Sequence, residues 1–203
     1  GPDSPESRTV AGILRDVAAR GDAAVAEYTQ KFDGVQLEPA QFRIAAAELA
    51  EAHRSLDPGL LTSLRRAIAN VRAYQEKIFI GTKPPGQGTG QSTGIRYVPV
   101  RRAGVCVPGA AAPLPSTVIM TVVPAQVAGV REIAVVSPPR YRGSSQSSGV
   151  SSQSPTVDRQ LPTANLLVGT IHPVILAVCH ELGVNEVYRL GGVQAVGALA
   201  FGT

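Results

Sequence analysis

The stretch that most constrains this chain is residues 101–116, RRAGVCVPGAAAPLPS. Its short apolar run, residues 105–107, is followed by Pro108 and Gly109, which is typical of a β-strand buried on both faces and running into a loop. Ser116 is predicted to cap the helix that comes next. Small loop residues allow a ligand to approach the backbone, and free N–H groups at a helix start favour an anion such as phosphate. An ordinary strand-to-helix turn is an equally good interpretation of this loop alone.

The second half of the chain alternates between strand and helix patterns. Strands are predicted at residues 95–100, 105–107, 132–136 and 186–190, and helices at 116–128, 174–182 and 193–201. Pro124 is expected to kink or restart the first of these helices, and Gly129 to end it. Strand, helix and strand in this order predict βαβ units with parallel strands.

The first half of the chain is predicted to be helical. Helices are expected near residues 10–20, 22–33, 39–49 and 58–78, with Asp22 and Asp57 as N-caps and Pro39 and Pro58 in first turns. The last of these carries an apolar stripe typical of packing on a core, formed by Leu61, Leu64, Ile68, Val71 and Ile78. Aromatic residues make up only 4% of the chain, so an aliphatic core is expected, which suits an α/β fold.

Two stretches of low complexity interrupt these patterns. Residues 81–94 are rich in Gly and Pro and predict a hinge, so the chain is divided into a mainly helical region, 1–92, and a second lobe, 93–203. Residues 140–162 or so are rich in Ser and Gln and predict a disordered insertion, with a phosphorylated or glycosylated loop as the alternative.

A second glycine-bearing loop follows the strand predicted at residues 186–190. Gly191 and Gly192 precede the helix predicted at residues 193–201, and Gln194 lies in the first turn of that helix. Carboxyl ends of parallel strands share one edge of a sheet, so this loop and Pro108-Gly109 are predicted to open toward one crevice. There Gln194 could bond a ribose hydroxyl or a cofactor amide, or be merely exposed or capping. Neither loop has the GxGxxG dinucleotide fingerprint.

Charge, cysteine and histidine content narrow the function classes. The basic residues behind the net charge of +4 are scattered along the chain, which argues against a nucleic-acid partner. No stretch has the length and apolar character of a membrane span or the order of a secretory signal, so a cytoplasmic location is expected. Cys106 and Cys179 are expected to be buried, reduced thiols. The three histidines, His53, His172 and His180, are not spaced as a helical metal pair.

The two ordered blocks RRAGVCVPGAAAPLPSTVIMTVVPAQVAGVREIAVVSPP and GVNEVYRLGGVQAVGALAFGT, with the N-terminal RGDAAVAEYTQKFDGV, closely resemble the histidinol dehydrogenase family. The resemblance implies an incomplete Rossmann-like sheet of the aldehyde dehydrogenase-like superfamily. It also implies a zinc-dependent homodimer that oxidises L-histidinol to L-histidine with NAD. By position, Gln194 matches a family glutamine that contacts NAD, and Cys106 stands where many members have an NAD-contacting tyrosine. A thiol supplies neither that ring surface nor its hydroxyl.

The resemblance also places the family's zinc ligands, substrate-binding residues and Glu-His acid/base pair beyond the position matching Thr203. We therefore expect no catalytic or metal-ligating residue in this chain, and a chain that is inactive alone. The expected cofactor-binding residues are Cys106, Pro108, Gly109, Gly191, Gly192 and Gln194. The alternative is a non-catalytic nucleotide-binding or dimerisation module derived from the family.

Overall fold

The computed structural model describes residues 4–79, 97–109, 112–139 and 169–202, and these ranges form an α/β fold. Its helices are α1 Pro5–Arg20, α2 Asp22–Asp33, α3 Ala46–Arg54, α4 Pro58–Ile78, α5 Pro115–Val127, α6 Pro173–Glu181 and α7 Gly192–Phe201. Its strands are β1 Arg102–Cys106, β2 Glu132–Val136 and β3 Glu186–Tyr188, and a short 3₁₀ turn covers Pro39–Gln41.

The three strands form one parallel sheet in the order β1-β2-β3, as the strand-helix-strand pattern predicted. Helix α5 connects β1 to β2, and α6 precedes β3. The outer edge of β3 is covered by a short extended segment: Ile44 N–H donates to Val187 O at 2.8 Å, and Arg189 N–H donates to Phe42 O at 2.8 Å. This pairing satisfies backbone groups that would otherwise be left open at the edge.

Aliphatic clusters cover both faces of the sheet. On one face α3, α4, α5 and α6 pack against Val105, Val135 and Val187. On the other face α1, α2 and α7 pack against Val136. The helices of the first half therefore pack on the sheet through the same cores as the helices of the second half. The predicted division at residue 92 falls outside the described residues and stays a prediction.

Several helix ends agree with the sequence. Asp57 caps α4 by accepting from Leu60 N–H at 2.8 Å, with Pro58 as the first helical residue. Gly34 ends α2 in the left-handed conformation, and Gly129 follows α5 with φ of 86°. In α4, Leu64 is buried, but Ile78 is 46% exposed, so the predicted apolar stripe does not reach the end of this helix.

Other predicted boundaries are wrong. Ser116 does not cap α5, because Pro115, with its pre-set φ, already begins this helix after Leu114. The same helix runs through Pro124 without restarting. Gly21, not Asp22, precedes α2. The helix predicted from Pro39 to residue 49 is a 3₁₀ turn followed by α3, because the residues between them extend to pair with β3.

The predicted strand at residues 95–100 is also not found in its described part, residues 97–100. Val98 and Val100 are more than 60% exposed there, and Pro99 packs on Gly129. A proline lacks the N–H that a strand ladder needs. Residues 95–96, the whole of the predicted hinge at 81–94 and the Ser-rich insertion lie outside the described residues.

No helix within the described ranges is both long and apolar enough to cross a membrane.

Candidate functional site

A crevice of about 850 Å³ opens at the carboxyl edge of the sheet. Both predicted loops line it: Pro108 and Gly109 after β1, and Gly191 and Gly192 after β3. The start of α1 and the end of α2 form the opposite wall. The structure thus brings together the two loops that sequence reasoning placed at one edge, in a volume typical of small-molecule sites.

The glycines let the strand ends approach one another closely. A Cβ on Gly191 would lie 2.6 Å from Pro138 Cβ, and one on Gly109 would lie 2.9 Å from the Ser137 hydroxyl oxygen. Gly192 has φ of 65°, a conformation that strains other residues. Any larger side chain in these loops would therefore push the crevice walls apart.

Gln194 is the most informative residue of the crevice. It is the third residue of α7 and lines the cavity, yet it is 0% exposed. Neither its Nε2 nor its Oε1 has a hydrogen-bond partner. The side chain folds back over Gly192, and a Cβ at Gly192 would lie 2.8 Å from Gln194 Oε1. Both expected alternatives, an exposed and a capping glutamine, are wrong. A buried amide without partners costs about 1–3 kcal/mol, which a ligand can offset by bonding to it.

Cys106 lies at the end of β1, where it lines the crevice. It is exposed, so the expectations of a buried Cys106 thiol and of a strand buried on both faces are wrong. Its side chain lies at the opening of the crevice rather than in the core. Burial on its inner side raises the pKa of the Cys106 thiol. The thiol is therefore protonated at neutral pH. Cys179 is free and buried, as expected, and burial raises its pKa to about 12.

The rest of the lining is largely apolar, with Val10, Ile13, Val136 and Val193 among its side chains. Glu6 and Asp33 are its charged residues, and no Lys, Arg or His of the described ranges lines it. Hydrogen bonds from its own backbone N–H and from Ser4 lower the pKa of Glu6, so this carboxyl is ionised at neutral pH.

Sequence reasoning missed Glu6 and Asp33, which line the crevice, and Ser137, which lies behind the lining next to Gly109. Ser137 is fully buried at the end of β2, and its hydroxyl has no partner. The sequence could have placed Ser137 at this edge, because it directly follows a predicted strand and the carboxyl ends of parallel strands share one edge of a sheet. The contribution of α1 and α2 depends on tertiary packing and had no signal in the sequence.

The histidines lie away from the crevice. His172 caps α6 by accepting from Val174 N–H at 3.2 Å. The rings of His53 and His180 are in contact, with centroids 4.7 Å apart and planes tilted by 36°, and His53 Nε2 lies 2.6 Å from Glu181 Oε2. A bidentate hydrogen bond from Arg65, assisted by His53, lowers the pKa of Glu181 to about 2. In the part of the chain that the structure describes, no three His, Cys, Asp or Glu side chains are grouped to hold a metal ion.

The fold and the crevice define an α/β protein with an open crevice at the carboxyl edge of a parallel sheet. The family model for histidinol dehydrogenase matches residues 3–159 and 156–203. The chain is 40% identical over 190 residues to a histidinol dehydrogenase of Rhodopirellula baltica and 38% identical over 200 residues to one of Heliobacterium mobile. It superposes on the crystal structure of histidinol dehydrogenase from Elizabethkingia anophelis with a TM-score of 0.74 at 25% identity, over 98% of this chain. The chain belongs to the histidinol dehydrogenase family.

These relatives are much longer than this chain. Their matches cover 94% and 98% of the chain but only 36% and 41% of the Rhodopirellula and Heliobacterium proteins, and 40% of the Elizabethkingia structure. The chain thus spans about two fifths of the length of the proteins it resembles.

Proposed function

We propose that the crevice is the dinucleotide site of a histidinol dehydrogenase. The reaction served is the NAD-dependent oxidation of L-histidinol to L-histidine in histidine biosynthesis, by a cytoplasmic homodimer. In fold terms, β1, β2 and β3 form part of an incomplete Rossmann-like sheet of the aldehyde dehydrogenase-like superfamily, in a lobe covering residues 93–203. The observation that carries the proposal is Gln194, a residue that lines the crevice and whose buried amide has no hydrogen-bond partner.

The residues present fit a nucleotide. Gln194 offers one acceptor and a two-hydrogen donor, the pattern that a carboxamide or a ribose hydroxyl complements. Pro108, Gly109, Gly191 and Gly192 supply backbone surface that a ligand can approach closely. When bound, NAD supplies the hydride acceptor. The contribution of this chain is to bind the cofactor, orient it and exclude water from it.

Cys106 occupies the crevice mouth as a neutral thiol, because its pKa is raised. It contributes a small apolar contact to the bound cofactor, smaller than that of an aromatic ring. The thiol is not expected to act as a nucleophile.

Zinc does not fit the residues described. His53, His180 and Glu181 are adjacent, but they are engaged with one another and with Arg65 rather than grouped around a vacant metal position. We therefore assign no metal ligand, and no catalytic acid or base, to this part of the chain. Histidinol turnover then requires residues other than those described here.

Titration calorimetry of the 203-residue chain with NAD tests the proposal. Saturable binding is expected, and Gln194→Ala should weaken it about tenfold, since a hydrogen-bonded neutral group contributes about 1.4 kcal/mol. Gln30→Ala, an exposed glutamine on α2, is the matched control and should bind as the parent does.

A turnover assay on the same preparation tests whether the chain alone is catalytic. With histidinol, NAD and zinc, no NADH should form from the chain alone, which a spectrophotometric assay at 340 nm records. Measurable turnover would refute the assignment of catalysis to other residues. Failure to bind NAD at millimolar concentration would refute the dinucleotide crevice and leave a dimerisation module as the interpretation.

A further inference from the structure

A second cavity, of about 470 Å³, lies on the side of the sheet that α2 and α7 cover. It is bounded by the start of α2, the start of β1, the end of α7 and the segment that pairs with β3. Apart from Val136, its lining residues are different from those of the crevice at the carboxyl edge. The cavity is therefore a separate candidate site, and the proposed dinucleotide function does not use it.

One cationic side chain of this cavity has no carboxylate partner. The Arg43 guanidinium is exposed, and the hydrogen bond that it makes in the described part of the chain is a long one, from Nη2 to a backbone carbonyl oxygen of the α6–β3 loop at 3.3 Å. Arg102 is different, because Glu132 and Glu186 both pair with it. Arg101 lies 4.0 Å from Glu132 and is 84% exposed. Arg43 is therefore the guanidinium of the lining that is open to a new anion.

Asp22 supplies the opposite charge in the same lining. Its carboxylate is half-buried and makes no ion pair or hydrogen bond within the described ranges, so it does not pair with Arg43 across the cavity. The start of α2 and the end of α7 carry partial charges of opposite sign, about half an elementary charge each, which offset one another. The cavity thus presents one open cation and one open anion that are not in contact.

This pair of charges has a definite complement. A free α-amino acid carries a carboxylate and an ammonium group on one carbon atom, so it can accept from Arg43 and donate to Asp22 at the same time. A guanidinium binds a carboxylate through two parallel hydrogen bonds, which also orient it. A simple anion or a simple cation would satisfy one of these groups and be repelled by the other.

The rest of the lining restricts the side chain of such a ligand. Apolar surface comes from Phe42, Leu190, Leu199 and Phe201, and Phe201 is 51% exposed. An exposed aromatic ring beside a cavity offers a face on which a planar group can stack, and the Tyr188 ring adds a second one. A planar, uncharged side chain therefore suits the cavity better than a charged one.

We propose that this cavity binds a free α-amino acid with a planar side chain, its carboxylate on Arg43, its ammonium group on Asp22 and its ring against Phe201. The inference is independent of the dinucleotide function proposed for the crevice.

Titration of the isotope-labelled full chain, followed by heteronuclear NMR, tests this inference. The probes are L-phenylalanine, phenethylamine, which lacks the carboxylate, and phenylpropionate, which lacks the ammonium group. L-Phenylalanine should bind in the millimolar range or more tightly, and about tenfold more tightly than either analogue, because each analogue loses one charge-assisted contact. The amide signals of Arg43 and Gly202 should shift, whereas those of Gly191 and Gly192 should not.

Variants assign the two charges. Arg43→Gln should weaken the binding of L-phenylalanine but not of phenethylamine, and Asp22→Asn should weaken the binding of L-phenylalanine but not of phenylpropionate. Arg66→Gln and Glu76→Gln are the matched controls, because they remove exposed charges on α4, and they should bind as the parent does. Circular dichroism checks that each variant is folded. Arg43→Lys, which keeps the charge and loses the planar fork, should also weaken L-phenylalanine.

Equal affinity for the three probes, or signal shifts confined to the crevice glycines, would overturn the inference. So would an absence of binding at tens of millimolar, or equal losses in the control variants. NAD binding is measured separately by calorimetry, and each of these results leaves the dinucleotide proposal as it stands.

Discussion

Replacing Gln194 by methionine should stabilise the ligand-free chain while abolishing its ligand binding. The side chain is 0% exposed, and both amide atoms lack partners, so the folded state bears a desolvation cost that the unfolded chain does not. An unsatisfied buried amide costs about 1–3 kcal/mol, and methionine is an unbranched apolar side chain of similar length. We expect the free energy of unfolding to rise by about 2 kcal/mol.

Urea unfolding followed by circular dichroism measures this change. At a slope of about 2 kcal/mol per molar urea, the midpoint should move upward by about 1 M. Binding of NAD, measured by calorimetry on the same preparation, should be lost, because methionine can neither donate to nor accept from a polar ligand group.

Gln126→Met provides a matched comparison within the same protein. The Gln126 amide donates from Nε2 to Leu182 O and accepts from Arg72 Nη2, both at 2.7 Å. Removing it breaks two hydrogen bonds, and we expect a loss of about 1–2 kcal/mol. If Gln194→Met were destabilising to the same degree as Gln126→Met, the Gln194 amide would be bonded within the protein, and its role as a ligand group would be refuted.

Two further predictions concern ion pairs. Glu48→Ala should lower the free energy of unfolding by about 2–4 kcal/mol. It leaves the Arg189 guanidinium, which is 7% exposed, without the carboxylate that accepts its hydrogen bond at 2.7 Å. Urea unfolding measures the loss, and recovery of stability in a Glu48→Ala, Arg189→Met double variant would confirm the cause. The pKa of Glu181 is about 2 in the folded chain, below its ordinary 4.5, through Arg65. Its contribution is therefore complete above pH 4.5 and is lost as the pH falls toward 2. Acid unfolding monitored by circular dichroism should be less steep in this window for Glu181→Gln than for Glu76→Gln, and identical curves would contradict the assignment.

The strand-helix alternation was sufficient to predict the parallel sheet, because short apolar runs bounded by glycine and proline are local signals. β2 was predicted with the bounds observed, and the two glycine loops were placed correctly at one edge. The errors arise where tertiary contacts override local propensity. Arg43 pairs with Tyr188 because the edge of β3 offers the segment hydrogen bonds. Residues 97–100 do not form a strand, although their apolar alternation suggested one, and Pro99 among them lacks a ladder N–H.

The site was predicted only in part, for a related reason. Parallel topology assigns strand ends to one edge, and so it located Gly109, Gly191 and Gln194. It does not say which helix will face that edge. The two acidic residues that line the crevice, Glu6 and Asp33, come from α1 and α2, more than seventy residues before the first loop in the chain, and only the packing of these helices places them there.

Satisfied and unsatisfied polar groups are distributed in a way that bears on function. Away from the crevice, Glu48 bonds both Arg189 and Thr170, and the Gln126 amide uses both of its ends, although Arg189 Nε and Thr29 Oγ1 are also buried without partners. At the sheet edge, by contrast, the Ser137 hydroxyl and the whole Gln194 amide are buried without partners, beside glycines whose lack of a side chain keeps the walls close. Folding alone gives no reason to keep such groups, because apolar residues of similar size would be more stable there. A ligand that bonds to the Gln194 amide at this edge supplies that reason, and the stabilising effect expected of Gln194→Met is the direct consequence.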